Sequence, residues 1–358
     1  MIRFILICTL LTAAFQVEAR RPRPTPTPRP TATTTPIPTP APISGMPVVN
    51  PALEMQPQPG YDTLRVQSTT DLPIDNVEGA FRIVCAPSHM RNDDPLVLPG
   101  QPGASHHHTF YGNTSTNSNS DLMGFSTTGN STCNGGIMNR TAYWSPSMVD
   151  TKEGRPILPG LAIFYYKAGG NIHAYAPDEV FTVPPKGLRM IAGNPKATSP
   201  ADTFARYTCL APEGVNRAFY GWKDSIPDCA VGDSMQVAVT FPQCWNGIDL
   251  DSPNHQSHMA YPNWDFSQGS TGRCPKTHPK LIPEIGLNFN FPVTFPHQTT
   301  SWRLSSDNYS SAFPGGYSLH SDWVNGWDET FLTGIIKNCL QADKDAHAHL
   351  LCDGRMFY

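Results

Sequence analysis

The sequence predicts a mainly β protein: one antiparallel β-sandwich or jelly-roll-like domain with long disulfide-linked loops and one short C-terminal helix. Three observations carry that expectation. Of 358 residues, 37 are proline and only 15% are charged, so residues that break helices cut the chain into short pieces. The apolar runs that remain are rich in β-branched and aromatic residues and are bounded by Pro, Gly and Asn. Amphipathic helical periodicity is nearly absent.

In chain order, residues 1–19 read as a signal peptide. Arg3 supplies the positive end, 4–15 form an apolar run, and Val17-Glu18-Ala19 offers a cleavage site after Ala19. The run is too short for a bilayer, which takes about 20 apolar residues, and no later segment reaches that length. Residues 20–60 hold 13 prolines, no aromatic residue and a single acid, Glu54. Alternating Pro and Thr favour extended polyproline geometry, a semi-rigid stalk whose threonines can carry O-glycans. Residues 61–358 are then expected to form a single secreted, β-rich domain.

Within it, 79–85, 161–167, 187–193, 235–241 and 302–306 read as strands. One helix is expected over 329–340, where Phe331, Ile335 and Cys339 recur at i, i+4 beside Leu332 and Ile336. Cys8 leaves with the signal peptide, and eight cysteines in an exported chain point to disulfides. No C-x-x-C pair occurs, which argues against structural zinc. Eight cysteines allow 105 pairings; the local set, Cys85 with Cys133, Cys209 with Cys229, Cys244 with Cys274 and Cys339 with Cys352, is the expectation adopted.

The formal charge of −4, from 25 basic and 29 acidic residues, is too near neutral to clamp a nucleic-acid backbone. No G-x-S-x-G, no phosphate-cradling glycine loop and no H-E-x-x-H motif is present. Chemistry therefore falls to the histidines, which cluster. If 105–112 is extended, His106 and His108 share a face and His107 points to the other, an arrangement that suits two ligands or an acid/base pair. The stretch 251–261 holds His255 and His258, and 317–323 holds His320 and Asp322. Neutral imidazole binds zinc, copper or iron well, and Asp322 or Asp251 can complete such a site. A divalent metal is thus a candidate cofactor, though no closed motif fixes its ligands.

Lys167 ends one predicted strand. Its surroundings, Tyr165 to Gly169, are similar to the Tyr-x-Lys-Ala-Gly strand of jelly-roll alginate lyases, but that family's companion Arg-Thr-Glu and Gln-Ile-His strands are absent. Tyr143, Trp144, Trp245, Trp264, Trp302, Trp323 and Trp327 offer faces able to stack on sugar rings if exposed. Asn113, Asn130, Asn139 and Asn308 stand in N-x-[ST] sequons, which imply surface positions in a glycosylating source.

Several blocks in order resemble the secreted domain-of-unknown-function family numbered nineteen-ninety-six, found in fungi and bacteria. They include Phe81-Arg82-Ile83 with Cys85, Ser105-His106-His107-His108 with Phe110 and Gly112, Ser131-Thr132-Cys133, Thr141-Ala142-Tyr143-Trp144-Ser145-Pro146, 187–194, Phe241-Pro242-Gln243-Cys244-Trp245-Asn246-Gly247, 255–261, Cys274-Pro275 with His278-Pro279, and Ser318-Leu319-His320-Ser321-Asp322-Trp323. The resemblance covers about 75–340. It implies export, a single domain and, in fungal relatives, frequent attachment to modules that bind cell-wall carbohydrate; it brings no activity.

The functional expectation is a secreted domain that binds or cleaves an extracellular or cell-wall polysaccharide through a groove. Its catalytic candidates are His106, His108, His258, His320 and Asp322; its substrate-binding candidates are Tyr143, Trp144, Lys167, Arg189 and Asp251. As an enzyme it would be a polysaccharide lyase or glycoside hydrolase. His258 or His320 would move a proton, and Arg189 or Lys167 would hold a uronate or a developing negative charge. The alternative is a noncatalytic envelope module that binds glycan or a metal ion.

Overall fold

The computed structural model describes residues 53–54, 65–75, 78–169, 178–215, 219–263, 272–346 and 349–357. The expected signal peptide, its cleavage site, Trp264 and, apart from 53–54, the stalk lie outside the described residues.

Strand Glu284–Pro292 alternates for nine residues: Ile285, Leu287, Phe289 and Phe291 are buried, and Gly286, Asn288 and Asn290 are partly exposed. A period of two with one wet face is the signature of a half-buried antiparallel strand. Its partners Ser234–Thr240 and Ala162–Lys167 alternate in the same way. They form the centre of a seven-stranded sheet, ordered Arg206–Leu210, Ser234–Thr240, Glu284–Pro292, Ala162–Lys167, Ala80–Cys85, Lys344–Ala346, Ile74–Asp75. One pairing in it is parallel, Lys344–Ala346 beside Ala80–Cys85. There Arg82 Nη2 donates to both carboxylate oxygens of Asp345 at 3.1 and 3.2 Å.

A second, six-stranded antiparallel sheet is ordered Leu53–Glu54, Pro87–Arg91, His108–Gly112, Ala142–Pro146, His320–Val324, Arg189–Gly193. Three of its strands, His108–Gly112, Ala142–Pro146 and His320–Val324, are buried at every position. Both faces of this sheet are therefore covered. Its inner face packs on the seven-stranded sheet: the Tyr143 and Phe164 rings are 4.6 Å apart, Tyr111 and Phe164 5.5 Å, and the Tyr143 and Tyr166 hydroxyls share a 2.7 Å hydrogen bond. That contact makes the sandwich core. On the outer face, Leu96, Leu122 and Phe125 from the loops around them close over Phe110, Trp144, Ile191 and Val324. Gly112 starts the turn into the second of these loops at φ +77, where a Cβ would lie 1.9 Å from the Thr141 carbonyl oxygen, so no side chain fits.

Four disulfides hold the loops, in the local pairing expected: Cys85–Cys133, Cys209–Cys229, Cys244–Cys274 and Cys339–Cys352. Four expected strands match Ala80–Cys85, Ala162–Lys167, Arg189–Gly193 and Ser234–Thr240 closely. The fifth is shorter than expected, Trp302–Leu304, because Asp307 accepts from the Leu304 and Gly316 amides and turns the chain. The helix is capped by Asp328, whose side chain accepts from the Phe331 amide. It is α-helical over Glu329–Ile335 and finishes as a π-turn over Ile336–Leu340. Among the described residues no helix is long and apolar enough to cross a membrane. The disulfides are consistent with an extracellular protein.

Two of the sequons are structural. Asn113 and Asn139 are fully buried, and each amide donates to backbone carbonyls, Asn113 to Phe125, Thr128 and Arg140, Asn139 to Asn134.

Candidate functional site

His108 opens one strand and lies in register with Pro146 of the next. On the other side of that middle strand Asp322 pairs with Trp144, so continuing the register by two residues brings His320 level with Pro146 as well. Two histidines thus stand on the same outer face, one on each side of a compact proline ring. His106 folds in from the preceding loop, its ring 4.2 Å from that of His108 and 5.0 Å from that of His320. His107 points the other way and shares a 2.9 Å hydrogen bond with Ser147, which is the alternation of an extended chain.

The nitrogens of His106, His108 and His320 converge: one ligand atom from each lies within 4.8 Å of the others. The His106 and His320 Nε2 atoms are 3.2 Å apart. Two imidazole nitrogens on a tetrahedral zinc, each at about 2.0–2.1 Å, are separated by about 3.3–3.4 Å. Without a cation, one of the two nitrogens carries a hydrogen and donates it to the other.

Backbone carbonyls fix two of the tautomers. His108 Nδ1 donates to the Asp93 carbonyl at 2.9 Å, and His320 Nδ1 donates to the Ser318 carbonyl at 2.8 Å. Each ring, while neutral, then presents a bare Nε2 lone pair, and that of His108 meets no hydrogen-bond partner among the described residues. A second-shell acceptor on the far nitrogen is the usual way to orient a metal-binding imidazole. Burial pushes all three down: His108 to about 3 and His106 far below the usual range, each with neighbouring imidazoles adding to it, and His320 downward against the Ser318 hydrogen bond and the pull of Asp94. All three are neutral, and so able to bind a cation, throughout the physiological range.

Two buried carboxyls stand beside them. Asp94 is raised by burial, opposed by the Leu96 and Val97 amides that donate to Oδ1 at 2.9 Å and by His320 and His255. Asp322 shares the outer face with His320; burial, then the Asp94 charge, raises it well above the usual carboxyl range. Neither Asp322 oxygen has a hydrogen-bond partner among the described residues.

The other expected residues lie elsewhere. His258 Nε2 donates to the Arg189 carbonyl at 2.7 Å while Nδ1 accepts from Ser252 Oγ at 2.9 Å. Asp251 accepts from His255 Nδ1 at 2.9 Å and sits 3.9 Å from Arg189 Nε. His258, Arg189 and Asp251 thus tie the loop before Met259–Ala260 onto the edge strand, separate from the trio. Tyr143 and Trp144 have no exposed surface: Tyr143 fills the core between the sheets and Trp144 the outer cluster, so neither offers a face to a sugar ring. Lys167 belongs to the seven-stranded sheet, its ammonium 5.1 Å above the Tyr165 ring. His349 is half-buried against Phe357. Sequence reasoning missed Asp93, Asp94 and Ser318, for two of which the backbone does the work; Asn92-Asp93-Asp94-Pro95 signalled a turn and nothing more.

A family model described as "Domain of unknown function (DUF1996)" matches residues 94–327, a stretch that contains all three convergent histidines. No curated protein and no solved structure matches the chain.

Proposed function

We propose, from the premise that the chain belongs to the DUF1996 family, that this is an extracellular metal-binding domain whose His106, His108 and His320 hold one divalent transition-metal ion. The observation that supports this reading best is the pair of backbone-locked tautomers, which leave bare Nε2 lone pairs on two rings of a trio whose ligand atoms lie within 4.8 Å of one another. Three neutral imidazoles suit zinc or copper and leave coordination positions for water or a substrate. Asp322 and Asp94 supply nearby negative charge when they ionise.

The acid/base polysaccharide reading is less well supported at this centre. Imidazoles held neutral by burial carry no spare proton at neutral pH for a departing sugar oxygen. The aromatic platforms proposed for it are buried, and Lys167 is on the opposite sheet.

The test is stoichiometry. Purified protein, stripped with a chelator and titrated with zinc or copper, is expected to take up one ion per chain and to rise in melting temperature. His106→Ala, His108→Ala and His320→Ala should each abolish uptake with the near-ultraviolet circular dichroism retained. Wild-type protein that takes up neither ion, with an unchanged melting temperature, would remove the proposal.

A further inference from the structure

At the Arg189–Gly193 edge of the six-stranded sheet, a pocket of about 180 Å³ opens to solvent. Ile191, Gly193, Met259, Gln256, Phe204 and Tyr261 are among its lining residues. Phe204 and Tyr261 are 69% and 48% exposed and border the same pocket. Tyr261 is nonetheless fixed: its hydroxyl donates to the Thr240 carbonyl at 2.8 Å. Gln256 is fixed too, its Nε2 within 3.4 Å of the Ile191 carbonyl oxygen and 3.3 Å of that of Gly193. Its Oε1 has no protein donor among the described residues and is left as an acceptor.

We propose that this pocket binds one hexopyranose unit of a neutral polysaccharide. Sugar rings carry an apolar C–H face and a rim of hydroxyls, and a site for them combines preorganised aromatic faces with a few polar groups. Phe204 and Tyr261 supply the faces, and the Gln256 amide supplies an acceptor for a hydroxyl. The lining holds no charged side chain, so nothing in it compensates the desolvation of a uronate or a sulfate. The pocket is open on its solvent side, which lets a chain continue beyond the bound unit. It does not rest on the cation reading, although Gly193 in its floor pairs directly with His320 across the sheet.

The experiment is calorimetric titration of the whole protein with cellohexaose, laminarihexaose and chitohexaose. Trigalacturonate serves as the charged control and a peptide copying residues 22–40 as a proline-rich one. At least one neutral saccharide is expected to bind, trigalacturonate and the peptide are not, and Phe204→Ala and Gln256→Ala should each weaken binding by about tenfold, the loss of roughly one stacking or hydrogen-bond contact. Chelation should leave saccharide binding unchanged. The proposal is overturned if no neutral saccharide binds, if binding survives both pocket variants, if trigalacturonate or the peptide binds as tightly, or if binding disappears with the cation, which would assign the sugar to the histidine centre.

Discussion

The two sheets of the sandwich are built from similar strands and treat their outer faces in opposite ways. The seven-stranded sheet leaves Gly286, Asn288 and Asn290 partly exposed on its outer side, and its central strands carry the plain alternation of a surface sheet. The six-stranded sheet covers its outer side with loops, and the space beneath them holds polar groups that a bare sheet would give to water: His108, His320 and Asp322. The lesson is that the candidate chemistry depends on the covering loops as much as on the strands. A histidine on the open sheet would titrate near its ordinary value; under the cover it is held neutral and oriented.

The comparison can be broken at several points. The largest effect is expected from Phe110→Ala, which empties the outer cluster under the loops: about 3–5 kcal/mol of stability, read by chemical denaturation, together with loss of metal uptake. Replacing Cys85 and Cys133 together frees the loop that carries Phe125 from the seven-stranded sheet. It should cost about 2–4 kcal/mol and weaken metal binding, whereas the same exchange at Cys209 and Cys229 should lower stability without touching metal binding.

Acid should act through the covered face next. His108 has its folded pKa held near about 3, below the unfolded value of about 6.5. Between those values the unfolded chain binds a proton that the fold refuses. Chelated protein should therefore be fully stabilised by this group above about pH 6.5 and lose about 1.4 kcal/mol per pH unit as pH falls towards 3. A denaturation midpoint that stays flat between pH 6.5 and 4.5, or a decline that persists unchanged in His108→Ala, would contradict the buried neutral imidazole. The smallest effect belongs to the open sheet: Asn288→Thr, at an exposed-face position, should change stability by no more than about 0.5 kcal/mol and leave metal uptake as it was.

The same contrast decides what could be read in the sequence. Three strands of the open sheet, near 80–85, 162–167 and 234–240, are legible from their β-branched and aromatic runs between breakers, whereas Glu284–Pro292, with Gly and Asn at its partly exposed positions, is not among the expected strands. Strands buried on both faces do not alternate, and His108–Gly112 and His320–Val324 also carry His, Ser and Asp, which read as loop residues. Their histidines stood out as a group, but their convergence depends on the shared register with Pro146, which is a property of strand order. Tyr143 and Trp144 look like sugar platforms in one dimension and turn out to fill space in three, because composition carries no sign of which face is roofed. The pocket of Phe204 and Tyr261 left no local motif, since its parts come from separate segments.

The parallel pairing of Lys344–Ala346 with Ala80–Cys85 has a consequence in time. Ala80–Cys85 is an interior strand of its sheet, yet one of its neighbours follows it by some 260 residues and the other by about 80. Contacts of such long range impose a large loop-closure entropy before they reward the chain. Sheet assembly cannot finish until Lys344–Ala346 has been synthesised, so Ala80–Cys85 keeps one edge without its partner strand while some 260 further residues are made.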